Sequence, residues 1–230
     1  MSKIKTNALL AEFIGSTLLC GVVVGSGIMA FNLSGGNIAV ALIGNSIATA
    51  AILWVLDAIL GPISGAHFNP AVTVAFYIDK KIKVQSAFFY IVLQVFGCIL
   101  GTLLAHAMFD QALLQAATTA RSGYHLLLSE WIATFALVFA IFGAVRYAPK
   151  SVPAVVALTI LAGYWWTSST SFANPAITIG RALTNTFTGI NPSNLIGFIL
   201  AQFFGAASAV ILSNYIFIKA QKRSDNVINF

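Results

Sequence analysis

Charge is what this 230-residue sequence has least of: Asp, Glu, Lys and Arg together make up 8% of it, against about 25% in soluble domains. That scarcity excludes a soluble globular fold and leaves no room for a soluble domain beside the apolar spans. Cysteine is nearly as rare. Cys20 and Cys98 both fall inside apolar runs, where a free thiol is a small packing residue, so neither a disulfide framework nor a thiolate metal site is indicated. No nucleophile–base pair and no cluster of metal-ligating side chains is apparent, which argues against an intramembrane enzyme. The formal net charge of +6 comes without a basic stripe on one face of a soluble domain, and so without a nucleic-acid footprint.

What the chain has in abundance is apolar sequence, 59% of all residues, with a mean hydropathy of +0.90. A span needs ~20 apolar residues to cross ~30 Å of hydrocarbon. The runs at 8–30, 38–60, 84–109, 128–147, 152–168 and 194–218 predict six spans, the fifth of them short, with two shorter helical segments at 69–78 and 174–185. The fold class expected is therefore an all-α membrane bundle in a single domain, residues 1–230.

Basic residues collect on the cytoplasmic side of short loops. Lys3 and Lys5 precede the first run; Lys80, Lys81 and Lys83 follow the second; Arg146 and Lys150 follow the fourth; Lys219, Lys222 and Arg223 follow the sixth. Of the 12 basic residues only Arg121 and Arg181 fall on the other side. Both termini are thus expected in the cytoplasm. Lys3 and Lys5 before an apolar stretch imitate a secretory signal, but the run is long enough to span, carries Glu12 and has a counterpart later in the chain, so it reads as an uncleaved first span.

Asn-Pro-Ala occurs twice, at Asn69-Pro70-Ala71 and Asn174-Pro175-Ala176, in apolar surroundings where proline is unwelcome. Asn caps helices, Pro is favoured at the first helical position and Ala propagates helix best, so each triplet predicts a helix start in mid-chain. Other segments repeat as well: AEFIGS at 11–16 matches SEWIAT at 129–134, and QVFGCILG at 94–101 matches QFFGAASA at 202–209. The repeats cover approximately 1–120 and 121–230. Each holds three full spans, an odd number, so the second enters the membrane from the opposite side and the two are related by a pseudo-two-fold in the membrane plane. Inversion brings the two Asn-Pro-Ala starts tip to tip. Each presents unpaired N–H groups and roughly half a positive charge. The small pairs Gly97/Gly101 and Gly205/Ala209 permit close helix packing.

SGAHFNPAVT at 64–73, the second Asn-Pro-Ala, the AEF and SEW repeat starts and the six-span inverted repeat together resemble the aquaporin, or major intrinsic protein, family. The resemblance covers essentially the whole chain. It implies a right-handed bundle of six helices with two half-helices meeting centrally, assembled among membrane lipids as a homotetramer with one pore per subunit, and a passive channel that needs no cofactor. It also suggests a bacterial inner membrane. By the same resemblance Glu12 and Glu130 hold the backbone of the pore loops, His67 lines the pore, and Gln94 and Gln202 form a symmetric pair of interhelical hydrogen-bonders.

Where the family usually has arginine, directly after the second Asn-Pro-Ala, this chain has Ile177. The remaining constriction positions fall on Thr49, Ser171 and Ala162, or on Gly163 with a one-residue gap. Neither the water-channel pattern nor the glycerol-channel pattern is present. The inferred ring is wide, and SFANPAITIGRAL resembles a bacterial branch associated with arsenical resistance. Arg181, one helical turn after Ile177, leaves two placements open: it leans back toward the constriction, or it snorkels to the outer surface. The solutes expected are water, glycerol-like polyols and neutral metalloid hydroxides such as arsenous acid. A water-selective channel is the alternative. A secondary transporter with broken helices is a third reading, but no midplane ion cluster supports it. Asp57 has no assigned role at this level.

Overall fold

The computed structural model describes residues 5–227, with side chains described through residue 217. Lys3 lies outside the described residues, as do the side chains of Lys219, Lys222 and Arg223. Eight α-helices follow in order: α1 Thr6–Leu33, α2 Ile38–Ser64, α3 Pro70–Ile78, α4 Val84–Met108, α5 Tyr124–Tyr147, α6 Val152–Trp166, α7 Pro175–Ala182 and α8 Leu195–Val227. Among the described residues, α1, α2, α4, α5 and the segment Pro192–Phe217 are long and apolar enough to cross a membrane. At 15 residues, α6 is about 22 Å long. A 3-10 turn at Pro149–Ser151 leads into it.

Several helix ends differ from the expected runs: α1 ends at Leu33 rather than 30, α2 at Ser64 rather than 60, and α5 begins at Tyr124 rather than 128. α7 stops at Ala182 rather than 185, and Thr184 beyond it is held by His106, whose Nε2 lies 2.8 Å from its hydroxyl. α8 runs past 218 to Val227, because the basic residues that close the apolar run carry good helix propensity and no Gly or Pro interrupts them.

The polarity of the bundle is that of a membrane protein. Ile47, Trp54, Phe88, Phe96, Ile196, Phe204 and Ile211 are exposed on the outside, while Glu12, Gln94, Glu130 and Gln202 are fully buried. With no water in the hydrocarbon, polar side chains are tolerated where the bundle itself satisfies them.

α1 packs on α4 and α2, and α5 packs on α8 and α6. Glycine makes the tightest of these seams. A Cβ on Gly97 would lie 2.6 Å from the Phe13 carbonyl of α1, and one on Gly101 or Gly205 would overlap the Thr17 or Trp131 carbonyl of the facing helix. The small pairs of the sequence therefore sit where backbones touch. Each half-helix also crosses into the other repeat: α3 packs on α8, and α7 on α4. The two repeats are interlocked rather than merely adjacent.

Candidate functional site

The two half-helices begin as their sequences require. Asn69 Oδ1 accepts from the Ala71 amide at 2.8 Å, and Asn174 Oδ1 accepts from the Ala176 amide at 3.0 Å, each with proline in the first helical turn. The other side-chain atom of each cap reaches across the repeat. Asn69 Nδ2 donates to the Ala173 carbonyl at 2.7 Å, and Asn174 Nδ2 donates to the Phe68 carbonyl at 2.8 Å. These acceptors are the residues immediately before the opposite Asn, so the two caps lock each other. A primary amide has two N–H groups; one is spent on this lock and one remains per Asn. The sequence alone left both free for a solute.

Behind the caps the backbone is irregular and repeats its own irregularity. Ala66 (φ 50°) and Phe68 (φ 46°) are matched by Ser171 (φ 50°) and Ala173 (φ 48°), all in the left-handed region. For residues with a Cβ this conformation costs roughly 1–2 kcal/mol each, so the surroundings must hold it. The glutamates do so. Glu12 Oε1 accepts from Ser64 Oγ at 2.6 Å and the His67 amide at 2.9 Å, while Oε2 accepts from the Phe68 amide and Gln94 Nε2, both at 2.8 Å. Glu130 Oε1 accepts from the Phe172 amide at 2.9 Å, and Oε2 from the Ala173 amide at 2.9 Å and Gln202 Nε2 at 2.6 Å. Gln94 and Gln202 each donate again, to Thr73 and Thr178 on the adjacent half-helix. Carboxylate, glutamine and threonine thus tie each loop to its half-helix in both repeats. Both glutamates act as acceptors in each of these bonds.

A cavity of about 450 Å³ runs past this lock. Among its lining residues are Thr49, Leu53, Asp57 and Gly61 of α2 and Val152, Val156, Ile160 and Tyr164 of α6, each set at four-residue spacing, together with residues 65–68, Ser171 and Phe172, both Asn caps, Ile177 and Arg181. His67 is in this wall, with Nδ1 3.0 Å from Thr73 Oγ1 and its ring stacked on Phe76 at 4.7 Å.

Ala162 is not in the cavity. It is exposed on the outside of α6 and borders a shallow surface groove with Ile43, Ser46, Ile47, Leu158, Leu161 and Trp165. Gly163, the alternative, is buried against the loop, where a Cβ would lie 2.5 Å from Ser171 Oγ. The inward face of α6 is set by the spacing from Val152, and at about 100° per residue that spacing delivers Tyr164, two positions beyond Ala162. Its hydroxyl lies 3.2 Å from Thr49 Oγ1. The cavity wall beside Thr49 therefore contains an aromatic residue that the sequence reading lacked.

Arg181 takes the first of its two open placements. It is 3% exposed, lines the cavity, donates from Nε to the Thr188 carbonyl, and sets its guanidinium carbon 3.3 Å from the centroid of the Phe172 ring. Arg121 lies 5.0 Å from the same ring, its Nε donating to the Gly189 carbonyl at 2.9 Å. One turn before Arg181 on α7, the uncharged Ile177 lines the same cavity. Tyr164, Phe172, Thr188 and Arg121 escaped the sequence reading; only Tyr164 had a signal, its four-residue register with Val152, Val156 and Ile160.

His106 and Cys20 make their contacts within the bundle. His106 is fully buried and bridges the Leu113 carbonyl and Thr184 Oγ1, each at 2.8 Å. Cys20 Sγ lies 3.4 Å from Thr102 Oγ1. Among the described residues no group of three His, Cys, Asp or Glu is placed to hold a metal ion.

Residues 1–164 match the family model of the major intrinsic protein. Aquaglyceroporin AqpS of Rhizobium meliloti (strain 1021) is 47% identical over 92% of this chain and 90% of its own length. The probable aquaporin TIP1-2 of Oryza sativa subsp. japonica is 30% identical over 92% of this chain and 86% of its own. The X-ray structure of the aquaglyceroporin from Plasmodium falciparum shares the fold at a TM-score of 0.70 and 18% identity, covering 92% of this chain and 96% of that one.

Proposed function

Because the chain belongs to the major intrinsic protein family, we propose that the cavity beside its interlocked half-helices is a passive transmembrane conduit for small uncharged solutes: water, glycerol-like polyols and neutral metalloid hydroxides such as arsenous acid. The observation that carries this reading is the reciprocal lock, Asn69 to Ala173 and Asn174 to Phe68, which sets two helix N-termini tip to tip on one cavity wall. The one N–H left on each Asn hydrogen-bonds a solute oxygen in passing, and the irregular backbone at 65–68 and 170–173 offers carbonyl acceptors on either side. A neutral solute exchanges its water contacts for these groups. An ion loses its hydration shell at a cost of many kcal/mol, and meets the positive ends of two helices and Arg181 as well. Glu12 and Glu130, with Gln94 and Gln202, hold the loops in this shape and move no protons.

Selectivity rests on Thr49, Tyr164, Ser171, Ile177 and Arg181. The hydroxyls of Thr49 and Ser171, the aliphatic Ile177 and the likeness to an aquaglyceroporin favour solutes larger than water. Tyr164 and Arg181 favour the second reading, a water-selective channel, since both crowd the same ring. Stopped-flow light scattering on proteoliposomes with water, glycerol, urea and arsenous acid separates them: swelling in all but the ion controls supports the broad conduit, whereas water flux with glycerol and arsenous acid excluded supports the narrow one.

The basic residues place Lys5, Lys80, Lys81, Lys83, Arg146 and Lys150 on the cytoplasmic side, and the exposed apolar helix faces suit lipid and three further copies in a homotetramer. Mass measurement of the detergent-solubilised complex tests the assembly.

A further inference from the structure

Asp57 is the one carboxyl among the residues that line the cavity. It stands in the α2 stripe two turns after Thr49, about 12 Å along the helix at 1.5 Å per residue, toward the opening where the exposed Lys150 also borders the cavity. Asp57 is 6% exposed, and its Oδ1 is buried without a hydrogen-bond partner among the described residues. The contrast with the other buried carboxyls is sharp. Glu12 accepts four hydrogen bonds and Glu130 three, all from this chain. An unfilled acceptor at this depth is costly to retain.

We propose, on the conduit reading above, that Asp57 is a hydroxyl-binding station that determines specificity for solutes carrying several O–H donors, polyols and neutral trihydroxides among them. Val152 and Val156 of α6, whose side chains offer no hydrogen bonds, line the same cavity. A solute against these side chains has given up water there and needs an acceptor elsewhere on the wall. A carboxyl keeps acceptor capacity in either protonation state, and when ionised it takes two hydroxyls at once. A polyol therefore recovers more at Asp57 than a single water molecule does. Cation coordination is disfavoured, since among the described residues Asp57 belongs to no group of three His, Cys, Asp or Glu side chains.

The test is unidirectional glycerol flux beside osmotic water flux in proteoliposomes of wild type, Asp57→Asn and Asp57→Leu, normalised to folded protein. The expected result is a fall in the glycerol-to-water permeability ratio of about fivefold for Asp57→Leu, the effect of one hydrogen bond of ordinary net strength, and a smaller fall for Asp57→Asn, with the half-saturating glycerol concentration raised in both. Should Asp57→Leu not fold, the ratio and the half-saturating concentration of Asp57→Asn decide. Parallel loss of water and glycerol flux, an unaltered ratio, or an effect confined to cation leak overturns the assignment while leaving the conduit intact. Wild-type protein that passes water but no glycerol overturns both this assignment and the broad solute range.

Discussion

Removing the Glu130 carboxylate isolates the loop clamp from every other feature of the cavity, since the residue is fully buried and is not part of the cavity wall. In Glu130→Ala the amides of Phe172 and Ala173 lose their acceptor, while Gln202 keeps its bond to Thr178. Two orphaned buried N–H groups cost about 1–3 kcal/mol each. With the loop held as it is, the two together cost roughly 2–6 kcal/mol; relaxation of the left-handed Ser171 and Ala173 returns roughly 1–2 kcal/mol apiece, which leaves a net loss of about 1 kcal/mol at the midpoints. The same relaxation moves the Ala173 carbonyl away from Asn69 and undoes half of the lock.

Glu130→Gln is the sharper variant. Both carboxylate oxygens accept only from donors, and an amide has a single oxygen, so its NH₂ must face either the Phe172 amide or the Ala173 amide with Gln202. One donor is left unsatisfied, for about 1–3 kcal/mol. With the loop held in its native shape, the order of stability is wild type, then Gln, then Ala. Thermal unfolding followed by tryptophan fluorescence in detergent, with water flux per folded protein in vesicles, checks both halves. Wild-type midpoints and fluxes in both variants would refute the clamp, and a proton current lost in Glu130→Gln would make the residue a relay instead.

Asn69→Asp or Asn174→Asp sets an oxygen against the Ala173 or Phe68 carbonyl in place of an N–H and offsets the positive helix end; neutral-solute flux should fall and cation leak rise in conductance recordings, and unchanged values would sink the lock. Gly101→Val forces branched bulk onto the Thr17 carbonyl and should prevent α1–α4 packing, read as loss of a monodisperse species in detergent, whereas Gly61→Ala, with open space at its Cβ, should not. Arg181→Ala should raise glycerol flux and cation leak together, and Ile177→Arg should lower glycerol and arsenous acid flux more than water flux; an untouched solute ranking in vesicles of matched protein content would remove residues 177 and 181 from the selectivity ring.

The scaffold was legible because symmetry states it twice. Asn69 with Asn174, Glu12 with Glu130 and Gln94 with Gln202 recur in register, and each pair makes the same bonds in its own repeat, so a residue read in one half carried its evidence in the other. Selectivity had no such second copy. Thr49 and Tyr164 meet from different repeats without being alike, and a side chain's facing on an apolar helix such as α6 depends on a rotation that one misplaced residue shifts by about 100°; Ala162 was lost to that rotation. Arg181 was undecidable from spacing because its position is fixed by Phe172 and the Thr188 carbonyl, neither of which any helical period connects to it. Asp57 follows the same logic from the other direction. A carboxyl that is not repeated and not satisfied by its own chain lies outside the symmetric scaffold. Paired residues such as Glu12 with Glu130 and Gln94 with Gln202 bond the loops and half-helices, whereas Asp57 and Arg181, which have no symmetric partner, line the cavity.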